Sequence, residues 1–307
     1  MLVLDGRVGA VETLRFSPDG RWLAAGGTRA GPEVWDLTRA GGPAAHRAPI
    51  GKITLVRFDP LRPRLYVLLS THLVATFDYP TGPRGCDPVH DGGHWMDVSD
   101  DGRTLVIAGR ATLTETGTRL KAFDAADPGR LRPIWADAPT TDGLLHWGVC
   151  WLAGTRRFAA SEWVGRYPDD RARVVVRDAD TGELLQECRR AGRPTDQLAA
   201  SSDGTLLAAS KMSLAVWPGA NLSRDPRVVT NDSRKHFTGV AFHPSGQYLA
   251  ATSNDETVKL YDTATWQLAK AFTWQVGRLR SVAFSPDGTR AAVGSDTGRV
   301  VIWDVDL

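Results

Sequence analysis

The chain has 307 residues, 42% of them hydrophobic, which is ample for a buried core. Its 37 basic and 35 acidic residues nearly cancel to a formal net charge of +2. Where Arg166, Arg171, Arg173, Arg189, Arg190 and Arg193 cluster, Asp169 and Asp170 interleave, which weighs against nucleic acid as a partner. Three well-separated cysteines, Cys86, Cys150 and Cys188, argue against a disulfide framework and a thiolate zinc site, and no apolar run approaches the length of a bilayer span.

The chain opens on Leu2-Val3-Leu4, an isolated strand followed at once by Asp5-Gly6. It is too short for a signal-peptide core, so a cytoplasmic protein with reduced thiols and no membrane insertion is expected. A β-rich run, Val11–Phe16, then leads into Phe16-Ser17-Pro18-Asp19-Gly20. The same five residue types recur at Phe284–Gly288, and a weaker copy stands at Phe242–Gly246. In all three places sixteen residues separate the turn glycine from the aspartate of an aromatic-Asp pair: Trp35-Asp36, Trp303-Asp304 and Tyr261-Asp262. A fixed period of this kind marks a repeat architecture.

Turn markers at Gly20, Leu61-Arg62, Gly102, Gly154, Gly204, Gly246 and Gly288 give seven units of about 40–55 residues, the size of one four-stranded propeller blade. Approximate blade limits are 6–48, 49–90, 91–138, 139–190, 191–232, 233–274, and 275–307 completed by 1–5. Within a unit, a β-rich first run is followed by a small-and-aliphatic one, such as Leu23-Ala24-Ala25 or Leu249-Ala250-Ala251. A polar turn and a third alternating run follow, as in Val258–Tyr261. Short runs punctuated by Pro, Gly and Asp read as strands in hairpins. Small residues in the second strand let neighbouring sheets approach, the aromatic before the Asp supplies packing area, and the Asp caps an Asx turn.

These residues resemble the WD-repeat family, named for its Trp-Asp pair. The resemblance spans nearly the whole chain and is strongest in the first, sixth and seventh units. It implies an all-β fold: a seven-bladed β-propeller of four-stranded antiparallel sheets, with the N-terminal strand closing the last blade and covering an open sheet edge. Many family members place a His of a Gly-His pair about ten residues before the turn serine. Arg7 and Gln275 stand there in the first and seventh units, and no unit has His, so the family's buried network is not expected intact.

The resemblance also implies a non-catalytic protein–protein interaction scaffold: a single monomeric domain taking protein or peptide partners on its loop face. The enlarged turns Gly109–Thr118 and Glu162–Ala172, with the connections Pro83–His94 and Pro139–His146, bring Trp95, Trp147, Trp163, Arg166 and Tyr167 towards one sector, together with His90, His94 and His146. Aromatic and arginine side chains are the residues of binding hot spots. The competing reading for Trp95 and Trp147 is that they open strands and pack inward. Trp163 and Tyr167 fall in a polar insertion and are expected to be exposed. In His90-Asp91-Gly92-Gly93-His94 two imidazoles could share an ion with Asp87 or Asp91, but a glycine-rich loop does not pre-order ligands, so no metal and no cofactor is expected. Gly294-Ser295-Asp296-Thr297-Gly298 only superficially resembles a nucleophile elbow. The alternatives are a propeller enzyme of the lactonase or hydrolase type and a regulatory domain of a bacterial signalling assembly.

Overall fold

The computed structural model describes residues 1–29, 31–39, 43–44, 51–71, 73–79, 82–85, 93–109, 120–127, 130–137, 145–164, 171–191, 195 and 197–306. The protein is all-β, a seven-bladed propeller of four-stranded antiparallel sheets, and its described residues add one turn of 3-10 helix at Pro218–Ala220. Blade 1 is built from Val11–Phe16, Trp22–Gly27, Glu33–Asp36 and Pro43–Ala44, and blade 2 from Ile53–Phe58, Arg64–Leu69, Val74–Asp78 and Gly82–Gly85. Blade 3 holds Gly93–Val98, Thr104–Gly109, Leu120–Asp124 and Arg132–Ala136, and blade 4 Leu145–Leu152, Arg157–Val164, Arg171–Asp178 and Leu184–Ala191. Blade 5 holds Gln197–Ala200, Leu206–Ser210, Ser213–Trp217 and Arg227–Thr230, and blade 6 Phe237–Phe242, Tyr248–Ser253, Val258–Asp262 and Leu268–Phe272. Blade 7 contributes Leu279–Phe284, Arg290–Ser295 and Arg299–Asp304, and its fourth strand is Leu2–Asp5, paired Leu2 to Ile302 and Leu4 to Val300.

The repeated turn has a local chemical cause. Ser285 Oγ donates to Asp287 at 2.6 Å and accepts the Arg290 amide at 2.9 Å, while the Gly288 amide closes on the Ser285 carbonyl at 2.9 Å. Gly288 sits at φ +75°, a left-handed backbone that favours glycine. Ser17–Asp19, Ser99–Asp101 and Ser201–Asp203 repeat the pattern. Blade 2 lacks the motif, and Asp59 substitutes by accepting the amides of Leu61 (3.0 Å) and Arg62 (3.1 Å). Asp178 and Asp262 cap the Asx turns expected of them: Asp178 accepts the Thr181 amide at 2.9 Å and Asp262 that of Thr265 at 2.8 Å.

Contacts divide the chain into two compact units. One holds blades 1, 2, 6 and 7, the other blades 3, 4 and 5. In the first, Val11, Leu14, Leu23, Trp35, Ala292 and Val300 share a core between blades 7 and 1, with Leu4 of the closing strand packed against it. Small residues are sterically required there. A Cβ on Gly26 would meet Ile53 Cγ2 at 2.4 Å, and one on Gly294 would meet Val11 Cγ1 at the same distance. In the second unit, Val106, Leu120, Trp151, Phe158 and Val175 fill the space between blades 3 and 4, and Leu206, Ala215 and Trp217 continue it to blade 5.

Candidate partner-binding site

The first strand of a blade is where side chains are re-aimed. In blade 3 the pairing skips from Gly93 to Trp95, leaving His94 as the extra residue of a β-bulge. In blade 4 it skips from His146 to Gly148, leaving Trp147. A bulge bends its strand and turns a side chain out of the alternating pattern. Here the two bulges line up three rings: His94 and Trp95 lie 5.4 Å apart between centroids, and Trp95 and Trp147 lie 5.7 Å apart, both pairs tilted. All three are half-buried. Trp95 leans on the core of blades 3 and 4, so the ledge has a fixed base and a solvent-facing edge.

Trp163 is placed differently from the expectation of a polar insertion. The second and third strands of blade 4 run to eight residues each, and Trp163 is a paired strand residue opposite Leu145 and Ala172, half-buried. The strands extend because cross-strand charges hold them: Glu162 faces His146 on one side and Arg173 on the other. Arg166, Tyr167 and His90 lie outside the described residues. Among the described residues, no group of three or more His, Cys, Asp or Glu is placed to hold a metal ion.

Sequence reasoning missed the charge cluster under this hairpin. The Glu162 carboxylate, with no exposed surface, accepts from Arg173 Nε at 2.5 Å and from Arg177 Nη2 at 3.0 Å. Arg173 continues to Glu187 (2.9 Å), and Arg177 to Asp137 (3.3 Å) and the Gly182 carbonyl (2.9 Å). His146, equally buried, stands 3.7 Å from both Glu162 and Asp137. Buried charges persist where they are paired in this way. The available signal was Glu162 set in an otherwise β-rich run, opposite a strand carrying Arg173 and Arg177.

The other unit holds a second buried polar cluster. In blade 6, Lys259 is buried, and its Nζ meets Asn231 Oδ1 at 2.5 Å, Asp255 Oδ2 at 3.1 Å, Ser233 Oγ at 3.3 Å and Asp232. Asn231 Nδ2 in turn donates to Ser253 Oγ at 3.0 Å and to the Lys235 carbonyl at 2.8 Å. Burial pushes the Asp255 carboxyl up, but hydrogen bonds from Ser233, Thr257 and Lys259 outweigh it and hold the group at about 2. The Tyr261 hydroxyl beneath is pushed up to about 12, chiefly by burial, with Asp232 and Asp255 adding to the effect. Blade 1 carries the opposite charge at the corresponding strand position: buried Glu33 accepts the Arg7 amide at 2.8 Å. Ser295 is fully buried and serves its own turn, lying 2.8 Å from Thr297 Oγ1 and donating to the Arg299 carbonyl at 3.1 Å. That bonding is the work of a turn cap and not of a nucleophile.

Seven repeated four-stranded sheets, six of them with a bulged opening strand, define a propeller of the repeat-built kind. The fold is a seven-bladed β-propeller, and three segments of the chain are similar to WD repeats. The family described as WD domain, G-beta repeat, matches residues 1–36, 228–262 and 267–304, which fall in blades 1, 6 and 7 and the end of the last strand of blade 5. Protein HIR1 of Cryptococcus neoformans var. neoformans is 34% identical over 105 residues, 32% of this chain and 12% of that protein. Actin-interacting protein 1 of Caenorhabditis elegans is 30% identical over 100 residues, 32% of this chain and 16% of that protein. The matches thus span a small fraction of these relatives' length. The β-propeller domain of Cps50 (Swd1) from Myceliophteria thermophila superposes with a TM-score of 0.81 over 100% of both chains at 18% identity, a likeness of fold. Among the described residues no helix is long and apolar enough to cross a membrane.

Proposed function

We propose that the protein is a non-catalytic protein–protein interaction scaffold. In this reading residues 1–307 act as one monomeric propeller domain in the cytoplasm. A protein or peptide partner docks on the loop face around Trp95, Trp147 and Trp163, with Arg166 and Tyr167 completing the surface. The observation that carries the reading is the His94–Trp95–Trp147 ledge: three half-buried rings in register, seated on a core and delivered by two bulges. Rigid aromatic side chains lose little conformational freedom on binding and bury large area, which is the economy of a hot spot. A relative named for interaction with actin is similar to this chain over 100 residues, which supports protein binding as the mode and leaves this chain's partner to its own loops.

The test is capture of partners from the native host by intact protein, by a Trp147→Ala variant and by a Trp163→Ala variant. Selective loss of one partner from either variant, with melting otherwise near normal, supports the ledge. Equal recovery of every partner by all three proteins removes it.

A further inference from the structure

The bulges of blades 3 and 4 have counterparts in the other unit, and one of them leaves a charge unused. The first strands of blades 6, 7, 1 and 2 skip a residue at Thr238, Arg280, Glu12 and Thr54. Two of these side chains are consumed inside the fold: Thr238 Oγ1 donates to the Leu279 carbonyl at 2.7 Å, and Thr54 Oγ1 to the Leu68 carbonyl at 3.1 Å. Arg280 is not. It is half-buried, its Nε is shut off from solvent, and that donor has no hydrogen-bond acceptor. The sealed Nε is out of reach of any partner, so the Nη edge is the part of this half-buried, unpaired guanidinium that a group outside the chain can meet.

Further cations stand at the same edge. The His236 carbonyl accepts the Asn254 amide at 3.0 Å, and the Arg278 carbonyl accepts the Asp296 amide at 2.8 Å, so these two residues occupy equivalent places at the openings of adjacent blades. The openings are tightly apposed: a Cβ on Gly239 would lie 3.0 Å from the Arg280 carbonyl. Arg234, Lys235, His236 and Arg278 are all exposed. Three of the nearby carboxylates already carry bonds of their own. Asp232 and Asp255 pair with Lys259, and Asp296 Oδ1 accepts the Arg278 amide at 3.0 Å. Exposed Glu256 and Glu12 stand on the adjoining turn and strand opening. They would repel a continuous phosphate backbone, whereas a short segment can set its carboxylates on the arginines alone.

We propose that Arg280, Arg278 and the Arg234–His236 run form a second docking surface, one that takes an acidic segment of a partner protein with a carboxylate in the fork of Arg280. Planar two-point recognition of a carboxylate is the task for which a guanidinium is suited. The surface uses blades 6 and 7 and stands or falls separately from the aromatic ledge.

The experiment is fluorescence anisotropy with full-length protein and three labelled probes: a short Asp/Glu-rich peptide, its Asn/Gln counterpart, and a single-stranded oligonucleotide of similar length. The acidic peptide is expected to bind and its amide counterpart to bind at least about tenfold more weakly, with Arg280→Gln and Arg278→Gln each reducing affinity about tenfold. Arg280→Lys keeps the charge without the fork and should fall in between. Arg39→Gln, at an exposed site beside Asp36, should leave binding unchanged. Arg278 is exposed, so its variant remains informative if Arg280→Gln lowers the melting temperature. Undetectable binding of the acidic peptide, binding by both glutamine variants as tight as by the native protein, or binding of the oligonucleotide as tight as that of the peptide would each overturn the proposal.

Discussion

Ser281 Oγ donates a 2.8 Å hydrogen bond to the carbonyl of Val11, 270 residues earlier in the chain. The same seam carries a bond from Arg290 Nη2 to the Gly20 carbonyl at 3.4 Å and the pairing of Leu2–Asp5 with the strand that ends in Asp304. The two ends of the sequence are therefore joined through blade 7 by backbone bonds more than by burial, since Leu2 and Val3 remain 43% and 46% exposed. Removing residues 1–5 should strip the ladder from the Arg299–Asp304 edge and withdraw Leu4 from the core of blades 7 and 1. At about 1 kcal/mol net per hydrogen bond, the loss should be about 2–4 kcal/mol, read as a lower urea midpoint. A truncated protein that unfolds at the same urea concentration as the full chain would show that this strand carries no stability.

Lys259 is the buried keystone of the blade 6 opening, and replacing it with Met should leave Asp255 and Asn231 facing an apolar stem. The expected cost is about 3 kcal/mol, the scale for breaking a buried pair by removing one partner. The pH dependence has a definite sign. Asp255 is held at about 2, below its ordinary 3.8, so in the native protein it contributes stability that is complete above the higher value and lost as pH falls through the lower one. In Lys259→Met the Asp255 value should rise, and the acid-sensitive window between them should narrow. Carboxyl titration by NMR on the two proteins checks this. An unchanged Asp255 value would mean that Ser233 and Thr257 alone depress it.

How much of this was legible in the sequence depended on whether the signal was local. Ser285-Pro286-Asp287-Gly288 builds its turn from its own side chains, so the motif announced the structure. Asp59 was harder to see, because the turn it caps keeps the chemistry and changes the residue. The bulges at His94, Trp147 and Arg280 are properties of register, and nothing in one strand reveals how its partner is aligned. Trp163 reads as part of a polar insertion because the residues around it are charged. Paired across strands as Glu162 and Arg173, they are what prolongs the sheet.

Glu162→Gln should expose the value of that pairing. The amide keeps the shape but removes the charge that Arg173 and Arg177 share, leaving two guanidiniums beside buried His146. The expected destabilisation is about 3 kcal/mol, because Arg173 keeps only Glu187 and Arg177 only Asp137 once the shared carboxylate is neutral. Tryptophan emission should shift as the hairpin loosens around Trp163, and thermal unfolding should fall in parallel. If stability is retained and the emission is unaltered, the cluster is a bystander and the strand length has another cause.

Trp95 and Trp147 share a ledge but not a foundation, and this separates binding from folding. Trp95 packs against the core cluster to which Val106, Leu120 and Phe158 belong, so Trp95→Ala should cost about 3 kcal/mol of stability and would confuse any binding measurement. Trp147 is the bulged residue, half-buried, with its ring centred 5.7 Å from that of Trp95. Its replacement by Ala should cost only about 1–2 kcal/mol in folding, because one half-buried aromatic contact is lost and no core cavity opens. A hot-spot aromatic at the centre of an interface contributes about 2 kcal/mol or more, so partner affinity should drop at least about thirtyfold in the same variant. The diagnostic result is a large loss of affinity with a small loss of stability at Trp147, and the reverse order at Trp95. If both substitutions lower affinity only in proportion to the fraction unfolded, the ledge is core, and the partner surface must be sought on other blades.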